Sequence, residues 1–158
     1  MGSVPGAVHF RSDLERKSAA GVGELERLPA RSYTKVSSAR VYAVLKEKAH
    51  IVLAAGRSVV VDAVYASDEE RRDIEGVAVT LGLSFHGVWL TAGREALIAR
   101  VEARHNNASD ATPDVVEAQS KYDIGTMSPA WSVVDAGGTA DDTLRLAASQ
   151  LGLCLVSP

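Results

Sequence analysis

Apolar residues along this chain come in short β-branched runs that alternate with longer stretches of roughly 3.6-residue period. Ala7-Val8-His9-Phe10 predicts a first strand running into polar Arg11-Ser12-Asp13, with Asp13 at its carboxyl end. Residues 14–35 mix charge with Gly21, Gly23 and Pro29, which predicts a short helix and then a loop around Leu28-Pro29-Ala30. From Ser37 to Ala55 the spacing of Val41, Val44, Leu45 and Val52 predicts a helix, capped by Ser37 or Ser38 and ended by Gly56. Residues 58–63, Ser-Val-Val-Val-Asp-Ala, predict a strand covered on both faces, as in a parallel sheet, and Asp62 falls at its end.

The same alternation continues to the carboxyl terminus. Ser67 with Glu70 forms a capping-box pattern opening a helix through Leu81, and Gly82 suits its end. Ser84 to Leu90 predicts another strand, followed by a helix over 93–105 with Ala96, Leu97 and Val101 facing the core. Arg100 and Arg104 then stand one helical turn apart on one side. Residues 105–113 form a candidate lid loop, and Thr112-Pro113 opens a helix toward Tyr122. Trp131 to Ala136 predicts the last strand of the pattern, Gly137-Gly138 a turn, and Thr139 to Leu151 the final helix. An apolar extension occupies 152–158. Strands alternating with helices predict parallel strands joined by helical crossovers.

Composition narrows the partners more than the fold. The 158 residues, 46% hydrophobic, suffice for one core and predict a single domain over 1–158. Seventeen Lys and Arg against twenty Asp and Glu give a net charge of −3 with no basic block, so broad nucleic-acid binding is not indicated. A few arginines can still make a local phosphate site. Cys154 is the only cysteine, which excludes an internal disulfide and points to a reducing cytoplasm. No stretch has the length and apolarity to cross a bilayer, and the start lacks a signal-peptide pattern. The histidines at 9, 50, 86 and 105 have no spacing that argues for zinc.

The ordered set Phe10-Arg11-Ser12-Asp13, Val59-Val60-Val61-Asp62-Ala63, Arg100-Val101-Glu102-Ala103-Arg104, Ser109-Asp110-Ala111 and Val134-Asp135-Ala136 resembles AAA-type P-loop kinases. The resemblance is strongest to the ATP-binding kinase domain found alone or fused to aminoglycoside-phosphotransferase-like proteins. Gluconate kinases, zeta-toxin-like kinases and polynucleotide kinases are more distant. It runs from Val8 to Leu151 and implies a three-layer parallel sheet flanked by helices.

The resemblance also implies roles. Asp13 accepts the proton of an acceptor hydroxyl, the alternative being a helix N-cap. Arg16 and Lys17 bind an anionic substrate, or else line a solvated face. Asp62 stands near magnesium, as at the end of a Walker B strand. Arg100 and Arg104 neutralise the transferred phosphoryl group, or pair with acids such as Glu102. Asp110 holds the lid through an arginine or caps the next helix, and Asp135 borders the nucleotide or closes a turn. The implied cofactors are ATP and magnesium, and the implied partner is a small molecule with a hydroxyl group.

One element of the resemblance has no counterpart. Gly-x-x-x-x-Gly-Lys-Ser/Thr occurs nowhere in the 158 residues, and only seven residues precede Val8. Backbone N–H groups, a lysine and a hydroxyl that hold phosphate and magnesium are therefore missing from the pattern. The expectation is an N-terminally truncated phosphotransferase, inactive as written and without the usual first central strand. The alternative is a non-catalytic remnant that binds a nucleotide, an anion or a protein. Residues Leu153 to Val156 are expected to fill the vacated position within one chain or across a homodimer.

Overall fold

In a computed structural model, residues 6–153 are described. They divide into two compact units, one of 6–83 with 105–110 and one of 84–104 with 111–153.

In the first unit, β1 (Val8–Arg11) and β2 (Val59–Asp62) pair in parallel, with Arg11 opposite Asp62. Between them run α1 (Ser12–Ala20), a 3-10 turn (Ala30–Tyr33) and α2 (Lys35–Ala54), while α3 (Asp68–Thr80) follows β2. Gly21 takes a left-handed conformation, φ 69°, at the end of α1, where its N–H bonds to Ser18 O. The start of α2 differs from expectation: Thr34 is the cap, accepting from the Ser37 N–H, and neither Ser37 nor Ser38 plays that part. The inward stripe of α2 is Val41, Leu45 and Ala49, an i, i+4, i+8 row, whereas Val44 is exposed. Complete burial of a leucine such as Leu45 stabilises by roughly 2 kcal/mol. On α3, the Ser67–Glu70 capping box is formed in both directions. Ile74, Val77 and Ala78 form its buried face.

In the second unit, β3 (Gly87–Thr91) and β4 (Trp131–Asp135) pair in parallel, with Gly87 opposite Trp131. Glycine is required at 87, because a Cβ there would stand 2.2 Å from the Trp131 ring. The unit also holds α4 (Arg94–Glu102), α5 (Pro113–Gln119) and α6 (Ala140–Gln150). α4 ends earlier than its periodicity predicts and buries no residue fully, and its expected core residue Leu97 is exposed. Thr139 and Asp142 make a second capping box at the start of α6, which packs on β4.

The four strands of the described residues thus form two two-stranded parallel ladders. Leu153 is exposed, and residues 154–158, with most of the expected strand filler, lie outside the described residues.

Candidate functional site

Parallel pairing of β1 and β2 brings Arg11, Asp13 and Asp62 to one sheet edge in the first unit. Arg11 Nε donates to Asp62 Oδ2 at 3.2 Å. The Asp62 side chain is 58% exposed. Asp13 sits in the first turn of α1, but Arg11 occupies the cap position and no side chain caps that helix. The N-cap alternative for Asp13 therefore falls. Burial pushes the Asp13 carboxyl above its ordinary range; a hydrogen bond with Ser109 and the charge of Arg11 pull it back, and Asp62 and Asp110 push it further up. Asn107 ties the same segment to the strand end, accepting from Arg11 Nη2 and from the Ser109 N–H.

One turn further along α1 lies a buried ion pair. Lys17 is 2% exposed, with Nζ 3.2 Å from Asp110 Oδ1 and donating to Glu24 O at 2.9 Å. Asp110 also accepts from Tyr33 Oη at 2.6 Å and from the Leu28 N–H at 3.0 Å. Burial alone would raise the Asp110 carboxyl, yet these donors outweigh it and hold the group below its ordinary range. Burial and the neighbouring Asp110 push the Tyr33 phenol well up. Two expectations are corrected here. Lys17 does not lie on a solvated face, and Asp110 takes a lysine rather than an arginine and does not cap α5, whose N-cap is Thr112. The physical reason is one buried ammonium whose charge must be matched where water is excluded.

Arg16 is half-buried and committed to organising the start of α2. It donates to Ser32 O, Ser37 Oγ and Ser38 Oγ, and its guanidinium carbon lies 4.8 Å from the centre of the Tyr33 ring.

The remaining candidates belong to the second unit. Arg100 Nη2 donates to Gly138 O at 2.7 Å. Arg104 stands beyond the end of α4 at Glu102, so the one-turn helical spacing of the two arginines does not form. Asp135 closes a turn by accepting from the Gly137 N–H at 2.8 Å.

Sequence reasoning missed Arg71, Tyr42 and Tyr65. Tyr65 follows β2 with a left-handed φ of 47°, a conformation uncommon for a bulky residue. Buried Arg71 donates from Nη1 to Tyr65 O and Ala66 O, both at 2.9 Å, while the Tyr65 N–H donates to Tyr42 Oη. Arg71 lies in the first turn and a half of α3, where a side chain leans back over the preceding segment, and that position was the available signal.

An ATP–magnesium group does not fit these residues by themselves. No Gly-rich loop with its lysine and hydroxyl occurs in the chain, and Asp62 is paired with Arg11. Among the described residues no three His, Cys, Asp or Glu side chains gather as a metal set.

Parallel strands with flanking helices and acids at strand ends define an α/β domain. More particularly, the chain belongs to the AAA domain family, whose model matches residues 2–122. Among solved structures it is similar to a gluconokinase from Sinorhizobium meliloti 1021, at 18% identity, 92% of this chain, 77% of that one and a TM-score of 0.63. It is also similar to the Deinococcus radiodurans tunicamycin resistance protein, at 14% identity, 98% and 87% coverage and a TM-score of 0.58. No curated protein matches the chain in sequence. No helix among the described residues is long and apolar enough to cross a membrane.

Proposed function

We propose that this chain keeps the acceptor side of an ATP-dependent small-molecule phosphotransferase and is inactive as written. The observation that supports this most is Asp13: a half-buried carboxyl at the carboxyl end of β1, bonded to Ser109 and raised above its ordinary range. A raised carboxylate takes a proton from a hydroxyl more readily, which is the task of a base facing an acceptor. Arg16 and the 21–33 segment it organises supply the acceptor's surroundings, and Arg100 and Arg104 are the cations for phosphoryl charge. Two similar solved structures are of a gluconokinase and a tunicamycin resistance protein, which agrees with a small-molecule acceptor. Inactivity follows from the missing phosphate-binding motif, because the arginines cannot replace its backbone N–H groups, lysine and hydroxyl together.

A second reading, a non-catalytic remnant that binds an anion, a nucleotide or a protein, draws support from groups already engaged within the protein: Asp62 with Arg11 and Arg100 with Gly138 O. Incubation with magnesium and ATP separates the two. The expected result is no ADP release above background from wild type or from Asp13→Asn. Magnesium-dependent turnover that Asp13→Asn abolishes would overturn the inactivity. Nucleotide-induced NMR shifts without turnover would favour the remnant.

A further inference from the structure

A groove of about 250 Å³ runs between α1 and α2 in the first unit. Ligand clefts usually span roughly 300–1,000 Å³, so this one suits a small metabolite rather than a polymer. One wall is apolar, formed by Ala20, Val41 and Val44; Val41 is buried, and Val44, which lies off the buried Val41–Leu45–Ala49 row, is exposed. The charged side chains at the groove are Arg16, Arg40 and Glu15. Glu15 is already matched, since both of its oxygens accept from Lys48 Nζ at 2.7 and 2.8 Å. Arg16 donates only to uncharged oxygens. Arg40 is exposed, and no acidic side chain pairs with it among the described residues. The first turn of the 20-residue α2 holds no acid either, so its positive end is uncompensated. Two guanidinium charges thus face a cleft whose only carboxylate is neutralised, beside a strip of aliphatic surface.

We propose that this groove binds a small molecule with an anionic head, carboxylate or phosphate, and a short aliphatic body. The head lies against Arg40 and the edge of Arg16, and the body lies on Ala20 and Val44. Asp13 and Arg16 are three residues apart and so occupy neighbouring positions on one side of α1, which places the groove within a helical turn of the proposed base. That the ligand is the phosphoryl acceptor rests on the kinase reading above. That the groove binds it does not.

The test is binding alone, followed by NMR shifts of the 158-residue chain with no ATP present. The probes are inorganic phosphate, butyl phosphate, valerate and butanol. Butyl phosphate is expected to bind at least tenfold tighter than phosphate, with shifts centred on 16–20 and 37–44, and butanol is expected not to bind. Comparing valerate with butyl phosphate tells which head is preferred. Arg40→Gln should weaken both anionic alkyl probes at least fivefold, and Val44→Ser should shrink the difference between butyl phosphate and phosphate. Both positions are exposed, so neither change threatens folding. Equal affinity for phosphate and butyl phosphate, binding insensitive to Arg40→Gln, or shifts mapping elsewhere would each overturn the proposal. Phosphoryl transfer assays cannot rescue or sink it, so the two readings fail separately.

Discussion

Among the described residues, the first unit buries charge and the second does not. Among the largest fully buried side chains of the described residues, Arg71, Lys17 and Leu45 lie in the first unit and Val134 in the second. Polar pairing in the second unit stays at the surface, as in Arg94–Glu117 and Arg145–Asp142. Its ladder leaves Leu90 57% and Val133 51% exposed. A buried cation is tolerated only where several oxygens are held in place for it, so each one marks a locally over-determined segment. In the first unit those segments are the 21–33 loop, the 107–110 strip and the 63–66 turn, which flank the two strand ends bearing Asp13 and Asp62. Exact placement of polar groups is concentrated around Asp13 and Asp62, and the second unit, which carries Arg100, Arg104 and Asp135, keeps its ion pairs at the surface.

The sharpest way to break that contrast is to remove Lys17. Lys17→Met leaves the Asp110 carboxylate buried without its cation, which costs about 3 kcal/mol in denaturant unfolding. Lys17→Met combined with Asp110→Asn should lose less than the sum of the single changes, because the stranded charge is gone. Arg94→Gln in the second unit, whose partner Glu117 remains in water, should leave the unfolding midpoint where it was. Equal effects of Lys17→Met and Arg94→Gln would erase the distinction between the units.

Arg71→Met is expected to cost less, about 2 kcal/mol, since it strands two carbonyl oxygens while the carboxylate it also faces, Asp68, is exposed and keeps its pair with Arg72. The loss should concentrate in the turn after β2, where Tyr65 holds its left-handed backbone. Limited proteolysis checks this: the first new cut should fall within 63–66. A cut elsewhere, with 63–66 still protected, would mean that Arg71 does not hold the turn.

How far the sequence revealed all this depended on whether a feature is local. The strand with Asp62 at its end, the Ser67–Glu70 box and the glycine at 82 were legible because each depends on a few neighbouring residues. The order of the short motifs pointed to the family, and the fold agrees with it. Lys17 was not legible, because nothing in Arg16-Lys17-Ser18 says that Asp110, far along the chain, will meet it in a dry place. Thr34 was overlooked as a cap because the 3-10 turn before it, Ala30–Tyr33, leaves no hydrophobic period to mark the helix start. Arg104 was assigned to a helix that stops at Glu102, and helix ends are poorly fixed by periodicity.

The smallest expected effect divides the first unit itself, because its two neighbouring carboxyls are perturbed in opposite directions. Asp110 sits below its ordinary value of 3.8, so its pairing stabilises above the unfolded value and is lost as pH falls through the lowered one. Asp13 is raised, mainly by burial, so its contribution is complete below 3.8 and is lost as pH rises through its folded value. Once ionised, the Asp13 carboxylate therefore weakens the fold slightly, as expected of a group kept for a purpose other than stability. Asp13→Asn preserves the size of the side chain and a partner for Ser109 while removing that charge. It should raise the urea midpoint at pH 7, and the advantage should shrink as pH falls toward 4. Denaturant titrations of both proteins across that window decide the matter. An Asp13→Asn protein less stable than wild type at pH 7 would mean that the carboxylate is held by its neighbours as firmly as Asp110, and the case for Asp13 as a proton acceptor would lose its physical basis.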